Sequence, residues 1–214
     1  MPSREIICAD ALQWMLGPIV PGAVVTSLPD AEEIGISPDE WKNWFRRGAY
    51  YAMKLARPDA PAIFYQTDRK AGGAILSKPY LLMQAAEHAG LRLLWHKIVL
   101  RRDEGKVDIH RPGYTHLMAF SAKGKPGAAS PDVIARGAMA YPNAMGMIAA
   151  RFACEFAGAS CGRIIDPFCG RGSVPAMANA LGFSAIGCDI DPAQCDFARK
   201  LSLPSVSSGN QGAV

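Results

Sequence analysis

The sequence of 214 residues predicts an α/β fold with a doubly wound, mostly parallel sheet. Short apolar segments alternate along the chain with amphipathic segments that are long enough to be crossover helices. Such helices cover both faces of a parallel sheet. Half of the residues are apolar and 20% are charged, as is typical of one globular domain with a sizeable core. We expect residues 1–203 to form this domain and the Ser/Gly-rich residues 204–214 to form a flexible tail.

The first part of the chain contains five predicted strands, which are rich in Ile, Val, Leu and Phe: 4–9, 23–27, 62–65, 91–101 and 115–122. Helices are predicted between them at 11–16, 38–55 and 77–89. Ser and Pro at the start of the second helix favour helix initiation, and Gly90 ends the third. The last two strands are close in sequence, so we expect them to form an antiparallel pair at a sheet edge.

The rest of the chain continues the alternation after a predicted loop at 123–132. The predicted order is helix 143–157, strand 163–165, helix 173–181, strand 185–188 and helix 192–201. Ligands of parallel α/β sheets bind at the carboxyl ends of the strands. The candidate functional residues are therefore those that end strands: Asp10, Ser27–Asp30, Asp166–Gly172 and Asp189–Asp191.

Composition excludes several classes of protein. No apolar run reaches the roughly 18–20 residues of a membrane helix, and the first ten residues lack the apolar stretch of a signal peptide. We therefore expect a cytoplasmic chain that contacts no membrane. The six cysteines form no C-x-x-C pair and have no nearby His, so neither a metal site nor disulfides are expected. The net charge of +4 permits an anionic partner.

The strongest functional pattern lies in residues 163–191. A buried strand ends in Asp166–Phe168, a turn with two glycines follows at Cys169–Gly172, and a helix begins at Ser173. Glycine permits tight backbone conformations and the close approach of a ligand. The next strand ends about twenty residues after this turn in Asp189, where a carboxylate can accept hydrogen bonds from ribose hydroxyls.

The string D-P-F-C-G-R-G at 166–172 resembles motif I of class I S-adenosylmethionine-dependent methyltransferases, in the form typical of enzymes that methylate amino groups of nucleic acids. The string G-C-D-I-D at 187–191 is similar to the acidic motif II of that family. The resemblance implies a Rossmann-like methyltransferase sheet and S-adenosyl-L-methionine as the cofactor. It implies these cofactor-binding residues: Asp10, Ala11, Asp166, Pro167, Phe168, Cys169, Gly170, Gly172, Asp189 and Ile190.

The order of the motifs differs from the common order of the family, in which motif I lies near the N-terminus. The resemblance therefore implies a circularly permuted methyltransferase whose chain opens with the third strand of the family. Asp10-Ala11 is similar to the motif that ends this strand and reaches the adenine amino group, although Asp10 is equally suited to cap helix 11–16. We expect strand 185–188 to lie between strands 4–9 and 163–165.

The catalytic motif of amino methyltransferases has the form [D/N/S]-P-P-[Y/F/W]. At the matching strand end this chain has Ser27-Leu28-Pro29-Asp30, in which Ser27 and Pro29 match and Leu28 and Asp30 depart. The resemblance implies that Ser27 and the carbonyl of Leu28 hold a target amine. Asp30 cannot stack on a base as an aromatic residue does, and it is either a general base or a residue that shapes the loop.

The expected partner is a nucleic acid, with RNA favoured over DNA. Basic and aromatic side chains alternate in the first 111 residues, a pattern that suits phosphates and stacked bases. The basic ones are Arg46, Arg47, Arg57, Arg69, Lys70, Lys78, Lys97, Arg101, Arg102 and Arg111. A non-catalytic S-adenosylmethionine-binding subunit and a small-molecule methyltransferase remain alternatives. An NAD(P)-dependent oxidoreductase is disfavoured, because the glycine turn lacks the G-x-G-x-x-G pattern.

Overall fold

The computed structural model describes residues 2–71, 73–103, 105–106 and 111–204. Ten strands are described: β1 Arg4–Cys8, β2 Ala23–Thr26, β3 Ala62–Gln66, β4 Arg69–Ala71, β5 Ala74–Leu76, β6 Arg92–Leu100, β7 Tyr114–Ser121, β8 Val133–Ala135, β9 Arg163–Asp166 and β10 Ser184–Asp189. Seven helices are described with them: α1 Ala11–Trp14, α2 Ala31–Ile34, α3 Pro38–Lys54, α4 Lys78–Ala89, α5 Met147–Cys161, α6 Ser173–Ala180 and α7 Pro192–Lys200. Residues 205–214 of the predicted tail lie outside the described residues.

Eight of these strands form one sheet in the order β1-β10-β9-β2-β3-β7-β6-β8. The pairs from β1 through β3 are parallel, and β7 runs antiparallel to both of its neighbours, β3 and β6. The α/β class and the mostly parallel sheet are confirmed. So is the expected position of the last strand, because β10 lies between β1 and β9.

Alternating side chains on the central strands point to the two faces of the sheet, as the period of a strand requires. Val24 and Phe64 belong to a core shared with α1, α3 and α4, whereas Val25 and Ile63 belong to a core shared with α5 and α6. The strands are consequently buried on both sides. This explains why they are continuous apolar runs in the sequence.

The starts of α3 and α4 follow from local chemistry. The hydroxyl of Ser37 accepts a hydrogen bond from the Glu40 amide, and the Glu40 carboxylate accepts one from the Ser37 amide in return. Ser77 accepts a hydrogen bond from the Tyr80 amide in the same way, and Gly90 ends α4 with a φ of +73°. These caps satisfy backbone groups that a helix end leaves without partners.

Four short elements were not predicted, and α5 begins four residues later than expected. The strands β4, β5 and β8 have three residues each and α2 has four, so none is long enough to show a periodic pattern. β4 and β5 form a separate two-stranded hairpin. β8 pairs with the outer side of β6, so the predicted antiparallel pair does not form the sheet edge.

Gly172 occupies a backbone position that a side chain would disrupt. Its φ is +83°, and a Cβ there would lie 2.7 Å from the Cβ of Ala198 and 2.8 Å from its Cα. Gly182 has a similar φ of +86° but has no atom within 4 Å of the Cβ position. An alanine at Gly182 would meet only backbone strain, whereas an alanine at Gly172 would meet the same strain and a clash with Ala198. Comparing the two variants therefore separates these two energetic costs.

We predict that Gly172→Ala lowers the free energy of unfolding by about 2–4 kcal/mol, because it adds overpacking to the strain of a positive φ. The control Gly182→Ala should lose only about 1–2 kcal/mol, from backbone strain alone. Urea denaturation of both variants measures the difference. Equal losses would show that α7 moves away from the turn without cost.

Candidate active site

The sheet order brings the predicted site residues to one edge. The parallel strands β1, β10, β9 and β2 are neighbours, so their carboxyl ends lie side by side. Asp10 follows the first of these strands, Asp189 ends the second, Asp166 ends the third and Ser27 follows the fourth. Residues that are distant in sequence therefore lie at one edge of the sheet, where α/β proteins bind ligands, and we call this edge the cleft.

The glycine turn is held against the end of β10 by its backbone. The amide of Gly170 donates to Asp189 Oδ2 at 2.9 Å, and the amide of Cys169 donates to the carbonyl of Cys188 at 2.9 Å. Asp189 Oδ1 accepts a hydrogen bond from the Asp191 amide at 2.9 Å. Two backbone amides thus fix the carboxylate of Asp189 beside the turn.

Some of the predicted cofactor residues have accessible side chains and others shape the backbone. The side chain of Ile190 is 68% exposed beside Asp189, which is unusual for isoleucine. Phe168 is half-buried and packs its ring against Trp44. Four further members of the predicted set are buried, so only their backbone can border a ligand: Ala11, Pro167, Cys169 and Gly172.

Asp166 is a buried carboxyl group with two hydrogen-bond donors. The hydroxyl of Thr26 donates to Asp166 Oδ1 at 2.7 Å, and the amide of Phe168 donates to the same atom at 3.3 Å. Burial raises the pKa of Asp166 from its ordinary value to about 7, even though both hydrogen bonds lower it. This residue therefore changes charge near neutral pH.

Asp10 caps α1, as one of its two predicted roles requires. Its Oδ1 accepts a hydrogen bond from the Gln13 amide at 2.9 Å. The residue also borders a cavity of about 250 Å³ between α1 and α3, together with Trp44 and Arg47. The cap occupies one carboxylate oxygen and leaves the other for a ligand, so the two roles are compatible.

The predicted catalytic loop follows β2 and packs against α3. Ser27 is exposed, Leu28 is buried, and the carbonyl of Pro29 accepts a hydrogen bond from Trp41 Nε1 at 3.0 Å. Gly48 lies under the loop, since a Cβ there would be 3.1 Å from Leu28 Cδ2 and 3.5 Å from the ring of Phe168. One helix therefore supports both the loop and the glycine turn.

The side chain of Asp30 is only 13% exposed and is surrounded by cations. Lys78 Nζ donates to Asp30 Oδ1, and Arg69 Nη1 donates to Oδ2 at 3.2 Å. Arg111 Nη2 lies 3.9 Å from the same oxygen. The amide of Asp30 donates to Glu33 Oε2 at 2.6 Å. Because both carboxylate oxygens are paired, these contacts favour loop positioning over proton transfer for Asp30.

Gln66, which the sequence did not single out, and Lys78, which was expected only to contact a nucleic acid, complete this side of the cleft. Gln66 is buried and lies with its Nε2 3.5 Å from the carbonyl of Leu28, and Lys78 Nζ donates to Gln66 Oε1 at 3.2 Å. Burial lowers the pKa of Lys78, whereas the charge of Asp30 opposes that change. A positive charge in the first turn of a helix is unfavourable because of the helix dipole. This unfavourable position of Lys78 was the one signal in the sequence that could have identified it as a site residue.

A second polar chain supports the same lysine from the other side. Asp68 is buried, and its Oδ1 accepts a hydrogen bond from the Lys78 amide at 2.9 Å. Asp68 Oδ2 lies 3.1 Å from His116 Nε2, and His116 Nδ1 lies 2.9 Å from His96 Nε2. The start of α4 is therefore fixed by a carboxylate that β7 holds in place. The sequence did not predict that a histidine would hold this carboxylate.

The two halves of the cleft differ in charge. Asp10, Asp166 and Asp189 lie at the ends of β1, β9 and β10, and the nearby Arg171 turns away to contact the rings of Tyr141 and Phe197. On the other half, Arg69, Lys78 and Arg111 surround Asp30, and Arg69 also pairs with Glu32. The first half therefore suits a cationic ligand, whereas cations and acids are paired with each other on the second half.

Sequence comparison finds no matching family model and no matching curated protein. Solved structures do match. TTHA0409 of Thermus thermophilus, which is named a DNA modification methylase, matches in its complex with S-adenosyl-L-methionine with a TM-score of 0.70 and 15% identity over 92% of each chain. The PvuII DNA methyltransferase, which is cytosine-N4-specific, matches with a TM-score of 0.71 and 16% identity over 92% of this chain and 86% of that one. M1.HpyAVI in its complex with SAM matches with a TM-score of 0.64 and 15% identity over 92% of this chain and 98% of that one.

The chain therefore has the fold of S-adenosylmethionine-dependent DNA methyltransferases. Within the ranges that the structure describes, no helix is both long enough and apolar enough to span a membrane. Among those same residues, no group of three or more His, Cys, Asp or Glu side chains is arranged to hold a metal ion.

We predict that the stability of the wild type falls, relative to Asp166→Asn, as pH rises from about 4 to about 7. The folded carboxyl keeps its proton up to a pKa of about 7, whereas the unfolded one loses it near pH 4. The native state thus binds more protons in this window, and the relative loss should be on the order of 2–4 kcal/mol. Urea denaturation at several pH values measures it.

The matched control is Asp196→Asn, which changes an exposed carboxylate in the same way. Its stability should follow that of the wild type across the pH range. If Asp166→Asn also runs parallel to the wild type, the carboxyl of Asp166 does not titrate near neutral pH.

Proposed function

We propose that this chain is a methyltransferase that uses S-adenosyl-L-methionine and acts on an amino group of a nucleic acid base. The observation that carries the proposal is the glycine turn of β9, whose Gly170 amide is bonded to the Asp189 carboxylate at 2.9 Å in the fold of DNA methyltransferases. The turn gives a ligand access to the backbone, and the carboxylate supplies an acceptor for a ribose diol.

The residues at this half of the cleft fit the cofactor chemically. The exposed side chain of Ile190 can pack on an adenine ring, and Asp189 beside it can accept hydrogen bonds from the ribose. Asp10 can accept a hydrogen bond from the adenine amino group with its second oxygen. The carboxyl of Asp166 complements a positive charge when it is ionised. When bound, S-adenosylmethionine supplies an electrophilic methyl group on a sulfonium sulfur.

The loop after β2 is the proposed acceptor side. The hydroxyl of Ser27 and the carbonyl of Leu28 can accept hydrogen bonds from an amine and thereby orient its lone pair towards the methyl group. Gln66 lies within reach of the same carbonyl and limits how it can turn. Alignment of the reacting atoms and exclusion of water are sufficient roles for the protein, because the methyl group is already activated.

DNA is the proposed substrate class. The basic and aromatic residues of the sequence favour RNA, but two of the structural neighbours are named for DNA, including a cytosine-N4-specific enzyme. The side chains of Arg69 and Arg111 near the acceptor loop are partly exposed, which supports a substrate with phosphates. We therefore place DNA before RNA, and a small molecule after both.

We also propose that the chain is circularly permuted with respect to the common order of the family. Support comes from the sheet order, in which the strand at the start of the chain pairs with β10, the last of the described strands. β9, which carries motif I, lies between β10 and β2. This arrangement agrees with a permuted chain, in which the Asp10 motif precedes motif I in the sequence instead of following it.

The alternative of a non-catalytic binding subunit is separated from an enzyme by two measurements. Isothermal titration calorimetry with S-adenosylmethionine and with NADH tests the cofactor. Transfer of labelled methyl groups to genomic DNA and to total RNA from the same cells tests the activity and its substrate. We expect binding of S-adenosylmethionine alone and labelling of DNA. Binding without transfer to either nucleic acid would favour the subunit.

We predict that Asp189→Ala weakens S-adenosylmethionine binding by about 1–3 kcal/mol, because the ribose loses a charged acceptor and the glycine turn loses its anchor. Calorimetry measures the affinity directly. The control Asp196→Ala removes an exposed acid from α7 and should bind with the affinity of the wild type. An unchanged affinity in Asp189→Ala would remove this residue from the site.

We predict that Asp30→Asn lowers kcat/KM by weakening the loop, and that Asp30→Asn/Lys78→Met recovers much of the loss. The single variant leaves Lys78, whose side chain is 4% exposed, without its counter-charge, which in buried pairs costs about 3–5 kcal/mol. The double variant removes that unpaired charge. The kcat/KM from steady-state kinetics and the melting temperature from thermal unfolding should therefore both recover in the double variant.

A general base at Asp30 predicts a different pattern. Turnover would fall by about 10²–10⁴-fold in both variants, while stability would still recover in the double variant. That result would assign Asp30 to proton transfer.

A further inference from the structure

An open groove runs between α3 and α4 on the face of the sheet that also carries α1. It has a volume of about 460 Å³ and is lined by Arg46, Arg47, Tyr50, Tyr51, Gln84 and His88. This volume lies within the range of roughly 300–1,000 Å³ that is usual for small-ligand sites. Arg47 and Tyr51 also line the cavity beside Asp10, so the groove is continuous with the proposed adenine end of the cleft.

Two arginines bring positive charge to this groove, and among the described residues neither forms an ion pair with a carboxylate. The guanidinium of Arg46 donates to two neutral oxygens, Gln84 Oε1 at 3.4 Å and Asn43 Oδ1. Arg47 is exposed, and no ion pair or hydrogen bond joins its side chain to any residue in the described part of the chain. Because both side chains line the groove, a phosphate bound there could accept forked hydrogen bonds from guanidinium groups.

Aromatic rings lie next to these charges. The ring of Tyr50 lies 5.6 Å from that of Tyr51 and 5.3 Å from that of His88, both tilted or edge-on. Tyr51 is half-buried and His88 is exposed, so the cluster is anchored on one side and open on the other. Fixed rings beside arginines form the usual platform for an unstacked base.

We propose that this groove binds one nucleotide of a single-stranded segment, with its phosphate on Arg46 and Arg47 and its base against Tyr50 and His88. A base within a duplex is stacked on both faces and cannot present one to the rings, so the groove selects single strands. The inference rests on the proposed function, because it names a second contact for the same nucleic acid outside the acceptor loop. It also supplies a substrate contact on the same domain that carries the acceptor loop.

The test is the binding of a fluorescein-labelled single-stranded DNA of about 15 nucleotides, followed by fluorescence anisotropy at several salt concentrations. The variant Arg46→Gln/Arg47→Gln should bind at least about 10-fold more weakly at low salt than the wild type. The slope of log K against log salt should fall in magnitude by about 0.7, because one phosphate of a single strand is no longer neutralised. The matched control Arg151→Gln/Lys200→Gln removes two positive charges from α5 and α7 and should bind as the wild type does.

The stacking component is tested separately. Tyr50→Leu keeps the apolar contact with the core and removes the ring, and it should weaken single-strand binding by about 5–100-fold with little change in the salt slope. Thermal unfolding of each variant confirms that it is folded. The same sequence as a duplex should bind the wild type more weakly than the single strand does.

Three results would overturn the proposal that the groove binds a single-stranded nucleotide. They are no binding of the single strand by the wild type, equal binding by the arginine variant and its control, and a duplex bound as tightly as the single strand. None of them depends on the cofactor. If the wild type binds S-adenosylmethionine and transfers methyl groups while the groove variants bind DNA normally, only the groove is wrong. If the wild type binds no S-adenosylmethionine, the proposed function is wrong. The DNA probe then still tests whether the groove binds a single-stranded nucleotide.

Discussion

The buried hydrogen bond between Thr26 and Asp166 joins the two halves of the candidate active site. Thr26 ends β2 and Asp166 ends β9, and the strands are parallel neighbours. A buried carboxyl group is costly unless it has a donor, and the hydroxyl of Thr26 supplies one at 2.7 Å. The acceptor loop and the glycine turn therefore leave the sheet from adjacent points, which keeps the proposed amine site next to the proposed methyl donor.

Helix α3 transmits this arrangement to the surface. The indole of Trp41 holds the carbonyl of Pro29, Gly48 allows close approach to Leu28 and Phe168, and Trp44 packs on the ring of Phe168. The same helix also carries the arginines and tyrosines of the groove. A single rigid element thus connects the cleft with the groove, so a nucleic acid bound in one would have a defined position relative to the other.

The two sides of the proposed cleft carry different charged groups. The strand ends of β1, β9 and β10 carry acids, whereas the start of α4 and the β4–β5 hairpin bring Lys78 and Arg69 to the acceptor side. Asp30 prevents these cations from repelling each other and holds the loop in place beside the cleft. An aromatic residue at this position could not neutralise them, so the departure from the family motif and the nearby cations belong together.

The sequence predicted the main helices and strands because their signals are local. Ser37 and Ser77 mark helix starts through bonds within one turn, and apolar runs mark strands that are buried on both faces. β4, β5 and β8 were missed because strands of three residues carry no period and form only where a partner strand is available. α2 was missed because a helix of four residues has too few positions for a pattern.

The sequence by itself determined the α/β class, the glycine turn after β9 and the acids at the strand ends, because each depends on residues close together in the chain. Only the tertiary structure decided the surroundings of Asp30. Its partner Lys78 is 48 residues away, and Gln66 is 38 residues from Leu28. No local pattern encodes such pairs. They arise because β2 and β3 are neighbours in the sheet and the chain after β3 returns over their carboxyl ends.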